Sequence, residues 1–262
     1  MRGHNLKIMR KKPFILGNWK MNLTLAEGVE FAKSLRKSLQ NKNEIISGIC
    51  PPFIFLKDIS RILEDSGICV GAQNIHSEKN GAYTGEISAM MVKEAGCTHV
   101  LIGHSERRHL FGEIDSFINA KMKTALSINL KPIFCIGETL NEREEGRTKY
   151  VIKNQLKNGL LGIDKNHIEE LVIAYEPVWA IGTGKTASPV QANEVHSFIR
   201  GFLADEYGKD IANKVYIQYG GSVKPENTKE LIAQPEIDGL LVGGASIKLG
   251  SFLKIIDAAS IQ

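Results

Sequence analysis

The sequence predicts a single (β/α)8 barrel, in which eight parallel strands are ringed by helices. Two observations predict it. Eight short apolar runs alternate with longer stretches of helical periodicity, and the residue types change sharply where each run ends. Short apolar runs are typical of strands that are buried on both faces of a parallel sheet, and their alternation with helices favours βαβ units. Eight such units in 262 residues are enough to close a barrel.

The predicted strands are the apolar runs at residues 14–16, 45–50, 68–72, 100–102, 133–136, 171–174, 215–219 and 240–242. Apolar residues at helical spacing predict helices within residues 29–39, 115–126 and 190–207. The last of these has Ser188 as a predicted N-cap and Pro189 as its first residue, since proline fits the first helical position.

The domain organisation follows from the absence of a linker. We expect residues 13–262 to form one catalytic domain, and residues 1–12 to be an N-terminal extension that is poorly ordered in part. The extension is basic and lacks the apolar centre of a secretory signal. Met9 offers an alternative natural start, which would make residues 1–8 an addition. No apolar stretch reaches the length of a membrane span, so we expect no membrane partner.

Composition argues against several classes of function. The chain is 43% apolar and 24% charged, with a net charge of +4 from lysines and arginines that are scattered among acidic residues. A nucleic-acid surface would cluster these cations, so no nucleic-acid partner is expected. The cysteines show no CxxC spacing and are predicted to be reduced packing residues in a reducing, cytoplasmic compartment. Neither they nor the histidines have a metal-site spacing, so no metal is expected. The cysteines are Cys50, Cys69, Cys97 and Cys135.

The ends of the predicted strands carry the candidate chemistry. The carboxyl ends of all barrel strands open on one face, where barrel active sites lie. Lys20, His104 and Glu176 each follow a predicted strand, so we expect them to line one mouth. The alternative, that strand ends are polar only because they meet water, explains glycine and asparagine better than it explains these three residues.

Glu176 is the candidate general base, because a carboxylate among apolar neighbours accepts a proton more readily than one in water. The segment after it combines a rigid start, a large apolar tip and a flexible end, which is typical of a hinged lid. The lid residues are Pro177, Val178, Trp179, Ala180, Ile181, Gly182, Thr183, Gly184 and Lys185. The end of this segment is similar to a nucleotide-binding P-loop, but Trp179 stands where that motif needs glycine.

Two glycine turns follow the seventh and eighth predicted strands, at residues 220–222 and 243–244. Glycine lets the backbone approach a ligand, and helix N-termini favour anions. Glycine pairs also serve ordinary turns. Two of them at these consecutive strand ends, however, favour the phosphate site that is common in this fold.

Five stretches of the chain resemble the triosephosphate isomerase family, and the resemblance runs from about Pro13 to the C-terminus. They are residues 17–22, 103–108, 175–185, 219–223 and 241–246. The resemblance implies a TIM barrel and an aldose–ketose isomerase without a cofactor. Its substrates would be dihydroxyacetone phosphate and D-glyceraldehyde 3-phosphate, interconverted through an enediol or enediolate in glycolysis and gluconeogenesis. Tyr83 and Ile247 depart from the phenylalanine and leucine expected there.

The resemblance also implies roles for individual residues. Glu176 resembles the base, His104 the neutral electrophile and Lys20 the cation that holds substrate. Asn18 resembles a residue that orients the lysine, and Glu106 the carboxylate beside it. The phosphate grip would be Gly182, Ser222, Gly243 and Gly244. Cys135 and Tyr219 are supporting residues, and Tyr219 with Ser222 would latch the closed lid near Ala187.

The segment at residues 73–88 is long and polar for a barrel loop, and by itself is compatible with a plain surface loop. The resemblance implies that it inserts into a second subunit of a homodimer. Thr84 would then lie near the neighbouring active site, and Glu86 would face Arg107. The interface set is Gln73, Asn74, Thr84, Glu86 and Arg107.

Two rival functions remain on sequence grounds. One is a barrel glycosidase that uses Glu106 and Glu176 as its carboxylate pair. Aromatic residues make up only 7% of the chain, which is few for sugar stacking. The other is a catalytically silent barrel that only binds a phosphorylated metabolite; the presence of every expected catalytic residue argues against it.

Overall fold

The computed structural model describes residues 11–181 and 186–260. Eight parallel strands form a closed barrel in which each strand pairs with the next in sequence and the last pairs with the first. The strands are β1 (Phe14–Asn18), β2 (Ile46–Cys50), β3 (Cys69–Ala72), β4 (His99–Ile102), β5 (Lys131–Ile136), β6 (Val172–Tyr175), β7 (Tyr216–Tyr219) and β8 (Gly239–Val242). The predicted fold class is confirmed, and each strand boundary lies within about two residues of the prediction.

Helices follow the strands and form the outer layer. They are α1 (Leu25–Ser38), α2 (Leu56–Leu63), α3 (Ala89–Glu94), α4 (Ser105–Leu110), α5 (Asp115–Leu126), α6 (Leu140–Glu144), α7 (Thr148–Gly159), α8 (Lys165–Ile168), α9 (Pro189–Tyr207), α10 (Lys209–Lys214), α11 (Pro225–Ile232) and α12 (Leu249–Ser260). Short 3-10 helices span Phe53–Phe55, Val178–Ala180 and Gly244–Ile247. The start of α9 is as predicted, since the Ser188 side chain accepts a hydrogen bond from the Gln191 N–H and Pro189 is the first helical residue.

Two apolar cores follow from the alternation of side chains along each strand. Side chains that point inward fill the barrel, and those that point outward pack against the helices. In β1, for example, Phe14 and Leu16 belong to the inner cluster, whereas Ile15 belongs to the outer one. The four thiols are unpaired, and burial raises the pKa of Cys97 to about 12. Such thiols act as packing groups and not as nucleophiles.

The predicted N-terminal extension falls mostly outside the described residues. Lys11 is described, and its Nζ donates to the Val215 carbonyl at 2.7 Å and lies 3.2 Å from an Asp238 carboxylate oxygen. The predicted domain boundary at residue 13 stays a prediction. Within residues 11–181 and 186–260, no helix is both long enough and apolar enough to cross a membrane.

Candidate active site

A cavity of about 420 Å³ opens at the carboxyl ends of the strands. It brings together Lys20, His104 and Glu176, which are distant in sequence and meet because parallel strands end on one face. Its lining residues are Asn18, Lys20, His104, Glu176, Ala180, Ile181, Gly220, Gly221, Ser222, Val223, Lys224, Leu241, Gly243, Gly244 and Ala245. Ala180 and Ile181, at the start of the predicted lid, form part of its wall.

Glu176 immediately follows β6 and is 2% exposed. Its Oε2 accepts a hydrogen bond from the Ser105 N–H at 2.9 Å, and its Oε1 lies 3.1 Å from His104 Nε2. A side chain at Gly220 would come within 2.9 Å of Glu176 Cγ, so the glycine turn after β7 makes room for this carboxylate. Glu176 is therefore a desolvated carboxylate held by few partners.

His104 lies at the N-cap of α4, directly after β4. Its Nδ1 accepts a hydrogen bond from the Glu106 N–H at 3.2 Å, so the proton of the neutral ring belongs on Nε2. That Nε2–H points to Glu176 and into the cavity. The helix terminus thus fixes which ring nitrogen is the donor.

Lys20 has a φ of +53°, a left-handed conformation that is uncommon outside glycine. Side chains hold both of its backbone groups: its N–H donates to Asn18 Oδ1 at 3.0 Å, and its carbonyl accepts from Gln73 Nε2 at 2.7 Å. Its Nζ lies 2.5 Å from Glu106 Oε1. Strained backbone of this kind persists only where the surroundings determine it, and it is typical of functional positions.

The start of the predicted lid is fastened to Glu138, which follows β5 and is completely buried. Its Oε1 accepts hydrogen bonds from the Tyr175 hydroxyl and the Trp179 indole, each at 3.0 Å, and from Arg143 at 3.1 Å. Burial, together with the charge of Glu138, raises the pKa of Tyr175 well above its usual value. Sequence reasoning gave Glu138 no role, although it stands at a strand end like the other site residues. The remaining lid residues, Gly182 to Lys185, lie outside the described part of the chain.

The glycine turns after β7 and β8 also line the cavity. A side chain at Gly244, the first residue of the 3-10 helix Gly244–Ile247, would meet no atom within 4 Å, so the space on that side of the backbone is open. A side chain at Gly221 would collide with the Tyr219 hydroxyl at 2.3 Å. Burial raises the pKa of Tyr219 to about 12, and the Ala187 backbone beside its hydroxyl opposes that shift.

The residues of the predicted dimer interface fall into two environments. Thr84 and Glu86 are exposed in the loop at residues 73–88, whereas Asn74 is buried and accepts a hydrogen bond from Lys121 at 2.8 Å. Arg107 bonds within the chain to Glu113 at 2.5 Å. Gln73 reaches the active-site lysine, a contact that the sequence did not indicate. Among the described residues, no three histidine, cysteine or acidic side chains converge as metal ligands.

Fold and site together define a (β/α)8 barrel with a glutamate–histidine pair and a lysine in a cavity that is also lined by two glycine turns. The chain belongs to the triosephosphate isomerase family, whose sequence profile matches residues 13–259. It is 55% identical over 246 residues to the triosephosphate isomerase of Carboxydothermus hydrogenoformans, covering 94% of this chain and 98% of that protein. It is 51% identical over 248 residues to that of Dictyoglomus turgidum, with 95% and 99% coverage, and 50% identical over 246 residues to that of Fusobacterium nucleatum, with 94% and 98%. The resemblance found in the sequence is confirmed.

Proposed function

We propose that this chain is a triosephosphate isomerase that interconverts dihydroxyacetone phosphate and D-glyceraldehyde 3-phosphate by proton transfer between adjacent carbons. The observation that carries the proposal is the 3.1 Å contact between His104 Nε2 and Glu176 Oε1 in a cavity that also contains Lys20. Family membership supports the reaction. Glycolysis and gluconeogenesis in the cytoplasm are the setting that this reaction implies.

Glu176 acts as the general base. A substrate carbonyl that accepts the Nε2–H of His104 takes the place of the Glu176 oxygen that now lies there. The carbon next to that carbonyl then comes beside the carboxylate. Glu176 removes a proton from this carbon and returns it to the neighbouring one, while the imidazole of His104 gives a proton to the carbonyl oxygen and regains one from the hydroxyl oxygen that becomes the new carbonyl. Its burial keeps water from competing for the proton.

The negative charge of the enediolate develops on oxygen, where His104 and Lys20 stabilise it. His104 donates from Nε2 because the Glu106 N–H occupies Nδ1. Donors that are held in place before the reaction stabilise the transition state without a cost of reorganisation. In this arrangement Glu106 and Asn18 hold Lys20, at its ammonium group and its backbone respectively.

The substrate phosphate binds the backbone N–H groups of Ser222, Gly243 and Gly244, with Gly182 from the lid. The first three line the cavity, and Gly182 lies outside the described residues. Binding energy from the phosphate, which does not react, supports the chemical step. Closure of the lid keeps water from an intermediate that can otherwise expel phosphate.

The glycosidase alternative does not fit the geometry of the carboxylates. The imidazole of His104 lies between them, 3.6 Å from Glu106 on one side and 3.1 Å from Glu176 on the other. A glycosidase of this kind needs the scissile bond between its two carboxylates, and here a histidine side chain is in contact with both.

A coupled assay on each of the two substrates, with a chelator present, tests the proposal and separates an isomerase from a barrel that only binds a metabolite. We expect turnover in both directions that is insensitive to the chelator. The Glu176→Gln variant, purified in parallel, should lose nearly all of it. Absence of turnover by the wild-type protein overturns the proposal, and equal turnover by the variant removes Glu176 from the role of base.

We further infer that the chain forms a homodimer, in which residues 73–88 insert into the partner near its active site. Thr84 and Glu86 are exposed, as this requires, and Glu86 would face Arg107. Gln73 would link dimer formation to the active site, because its loop leads into the interface while its amide holds Lys20. Light scattering at micromolar concentration tests this inference, and a monomeric mass contradicts it.

A further inference from the structure

Arg108 is a nearly buried arginine whose guanidinium joins three elements of the barrel. Its Nε donates to the Gly103 carbonyl at 2.8 Å, at the end of β4. Its Nη2 donates to the Cys135 carbonyl in β5 at 3.2 Å, and its Nη1 donates to Asp115 at the start of α5 at 2.6 Å. Its side chain is about one-tenth exposed. Both backbone acceptors lie at the carboxyl ends of strands, beside the cavity, yet Arg108 does not line it.

The Gly103 carbonyl belongs to the same planar peptide unit as the N–H of His104, so a bond that holds this carbonyl also fixes the backbone from which His104 projects. Gly103 has a φ of +75°, which turns the chain sharply between β4 and α4. The carbonyl of His104 itself accepts hydrogen bonds from the Arg107 N–H at 2.8 Å and the Arg108 N–H at 3.1 Å. The backbone of His104 is thus held on both sides.

The turn and the arginine are fitted to each other. A side chain at Gly103 would come within 3.2 Å of Arg108 Nη2 and of the Cys135 carbonyl. Only a guanidinium has donors on several nitrogens in one rigid plane, and the ammonium of lysine is a single point that cannot reach three separated acceptors. The contact with Cys135 also ties the end of β4 to β5, the strand that leads to Glu138, to which Trp179 at the start of the lid is hydrogen-bonded.

From these contacts we propose that Arg108 is a positioning residue, which directs His104 Nε2 toward the substrate carbonyl by holding the 103–104 peptide. The proposal rests on the proposed function for the role of His104. A purely structural alternative exists: Arg108 could act only as a link between α4 and α5 through Asp115. The positioning role and the structural role depend on different hydrogen bonds of Arg108. Positioning depends on the two carbonyl contacts, whereas the link depends on the carboxylate.

Three variants separate these roles. Arg108→Ala removes all three contacts, Arg108→Lys keeps the positive charge for Asp115 without the planar fork, and Asp115→Asn weakens the ion pair and leaves both carbonyl contacts. We expect both Arg108 variants to lower kcat about 10- to 100-fold, with KM within about threefold of wild type, because a small displacement of a catalytic group is costly. Asp115→Asn should retain kcat, and guanidinium in the buffer should restore part of the activity of Arg108→Ala, while methylammonium should not.

A second readout reports on His104 without turnover. In protein labelled with ¹⁵N-histidine, the His104 signals, assigned with His104→Gln, should show one ring nitrogen protonated and the other an acceptor. In Arg108→Lys they should move toward the average of two tautomers, and in Asp115→Asn they should not. Unchanged signals in Arg108→Lys, unchanged kcat, or an equal kcat loss in Asp115→Asn each overturns the proposal. An inactive wild-type protein would instead defeat the proposed function, and the NMR comparison would still decide whether Arg108 orients His104.

Discussion

The ring nitrogen Nε2 of His104 lies 3.1 Å from Oε1 of Glu176, and both side chains are buried at the mouth of the barrel. In the proposed reaction one group offers a proton and the other accepts one, so a carbonyl compound that enters between them meets an electrophile and a base together. That proposed chemistry calls for no cofactor, because a neutral imidazole and a carboxylate suffice to form and discharge an enediolate.

Shortening the base should slow turnover without unfolding the protein. Glu176→Asp retracts the carboxylate by about 1 Å, which is expected to lower kcat on the order of 10²-fold, because proton transfer depends steeply on the position of the base. Steady-state kinetics in the coupled assay measure this, with circular dichroism to verify the fold. Turnover at the wild-type rate would exclude Glu176 as the base.

Removing the amide that holds Lys20 should weaken substrate binding. Gln73 Nε2 donates to the Lys20 carbonyl at 2.7 Å and to the Cys50 carbonyl at 2.9 Å. Without it, the left-handed backbone of Lys20, a strain on the order of 1–3 kcal/mol, can relax and carry the ammonium away. Gln73→Met is therefore expected to raise KM several-fold, whereas Gln40→Met, at an exposed glutamine, leaves it unchanged. A KM that stays within error in both variants speaks against support of Lys20 by Gln73.

Loosening the start of the lid should let the intermediate decompose. Trp179→Phe keeps a ring under Arg143, whose guanidinium carbon lies 4.6 Å from the ring centre, but removes the N–H that donates to Glu138. A lid whose hinge is less well fixed admits water, so more inorganic phosphate should be released per turnover. Tyr175→Phe, which removes another donor to Glu138, should act in the same direction. A phosphate yield at the wild-type level in both variants would count against Glu138 as the anchor of the lid.

The barrel and the convergence of its strand ends could be predicted because both depend on local patterns. Continuous apolar runs mark strands buried on both faces, and parallel connectivity then places their carboxyl ends together. The start of α9 could likewise be predicted, since serine is a favoured N-cap and proline fits the first helical position. For the same reason His104 and Glu176, each at the end of a run, were identifiable as candidates.

The contacts that hold the site could not be predicted, because they join residues whose proximity depends on packing. Gln73 and Lys20 are 53 positions apart, and nothing around Gln73 indicates that its amide turns inward. Arg108 is one of two adjacent arginines; one bonds to Glu113 and the other to Asp115, and only the docking of α4 decides between them. Glu138 was visible at a strand end, but its three donors come from separate segments.

A buried ion pair near the predicted dimer interface should be costly to break. Lys121 lies 2.5 Å from Glu113 Oε1 and is almost fully buried; burial lowers its pKa and Glu113 opposes that shift. Lys121→Met leaves Glu113 with Arg107 alone, and we expect it to lower the free energy of unfolding by about 3–5 kcal/mol. Adding Glu113→Gln should recover part of the loss. Lys123→Met, at an exposed position, serves as the control, with an expected change within about 0.5 kcal/mol. Urea denaturation measures these values, and equal stability of the Lys121 and Lys123 variants would contradict the expectation.

Acid should destabilise the fold through His196, a buried histidine of α9. Burial lowers the pKa of His196 from 6.5 to about 4, and the ring packs edge-on against Tyr175 with its Nδ1 3.1 Å from the Glu236 carbonyl. Because the pKa is lower in the folded state, the unfolded chain takes up the proton first as the pH falls. Neutral His196 therefore contributes up to about 3 kcal/mol to the free energy of unfolding. This contribution is fully present above pH 6.5 and is lost as the pH falls toward 4. His99, whose pKa is also lowered to about 4 by burial, contributes a similar change of the free energy of unfolding with pH.

Urea unfolding between pH 7 and pH 4.5, at one protein concentration, measures this dependence. The free energy of unfolding should fall less steeply with pH for His196→Phe than for wild type, even if the variant is less stable throughout. His109→Gln, at an exposed position, should keep the wild-type slope. If His196→Phe loses stability with falling pH as steeply as the wild type, protonation of His196 does not contribute to acid unfolding.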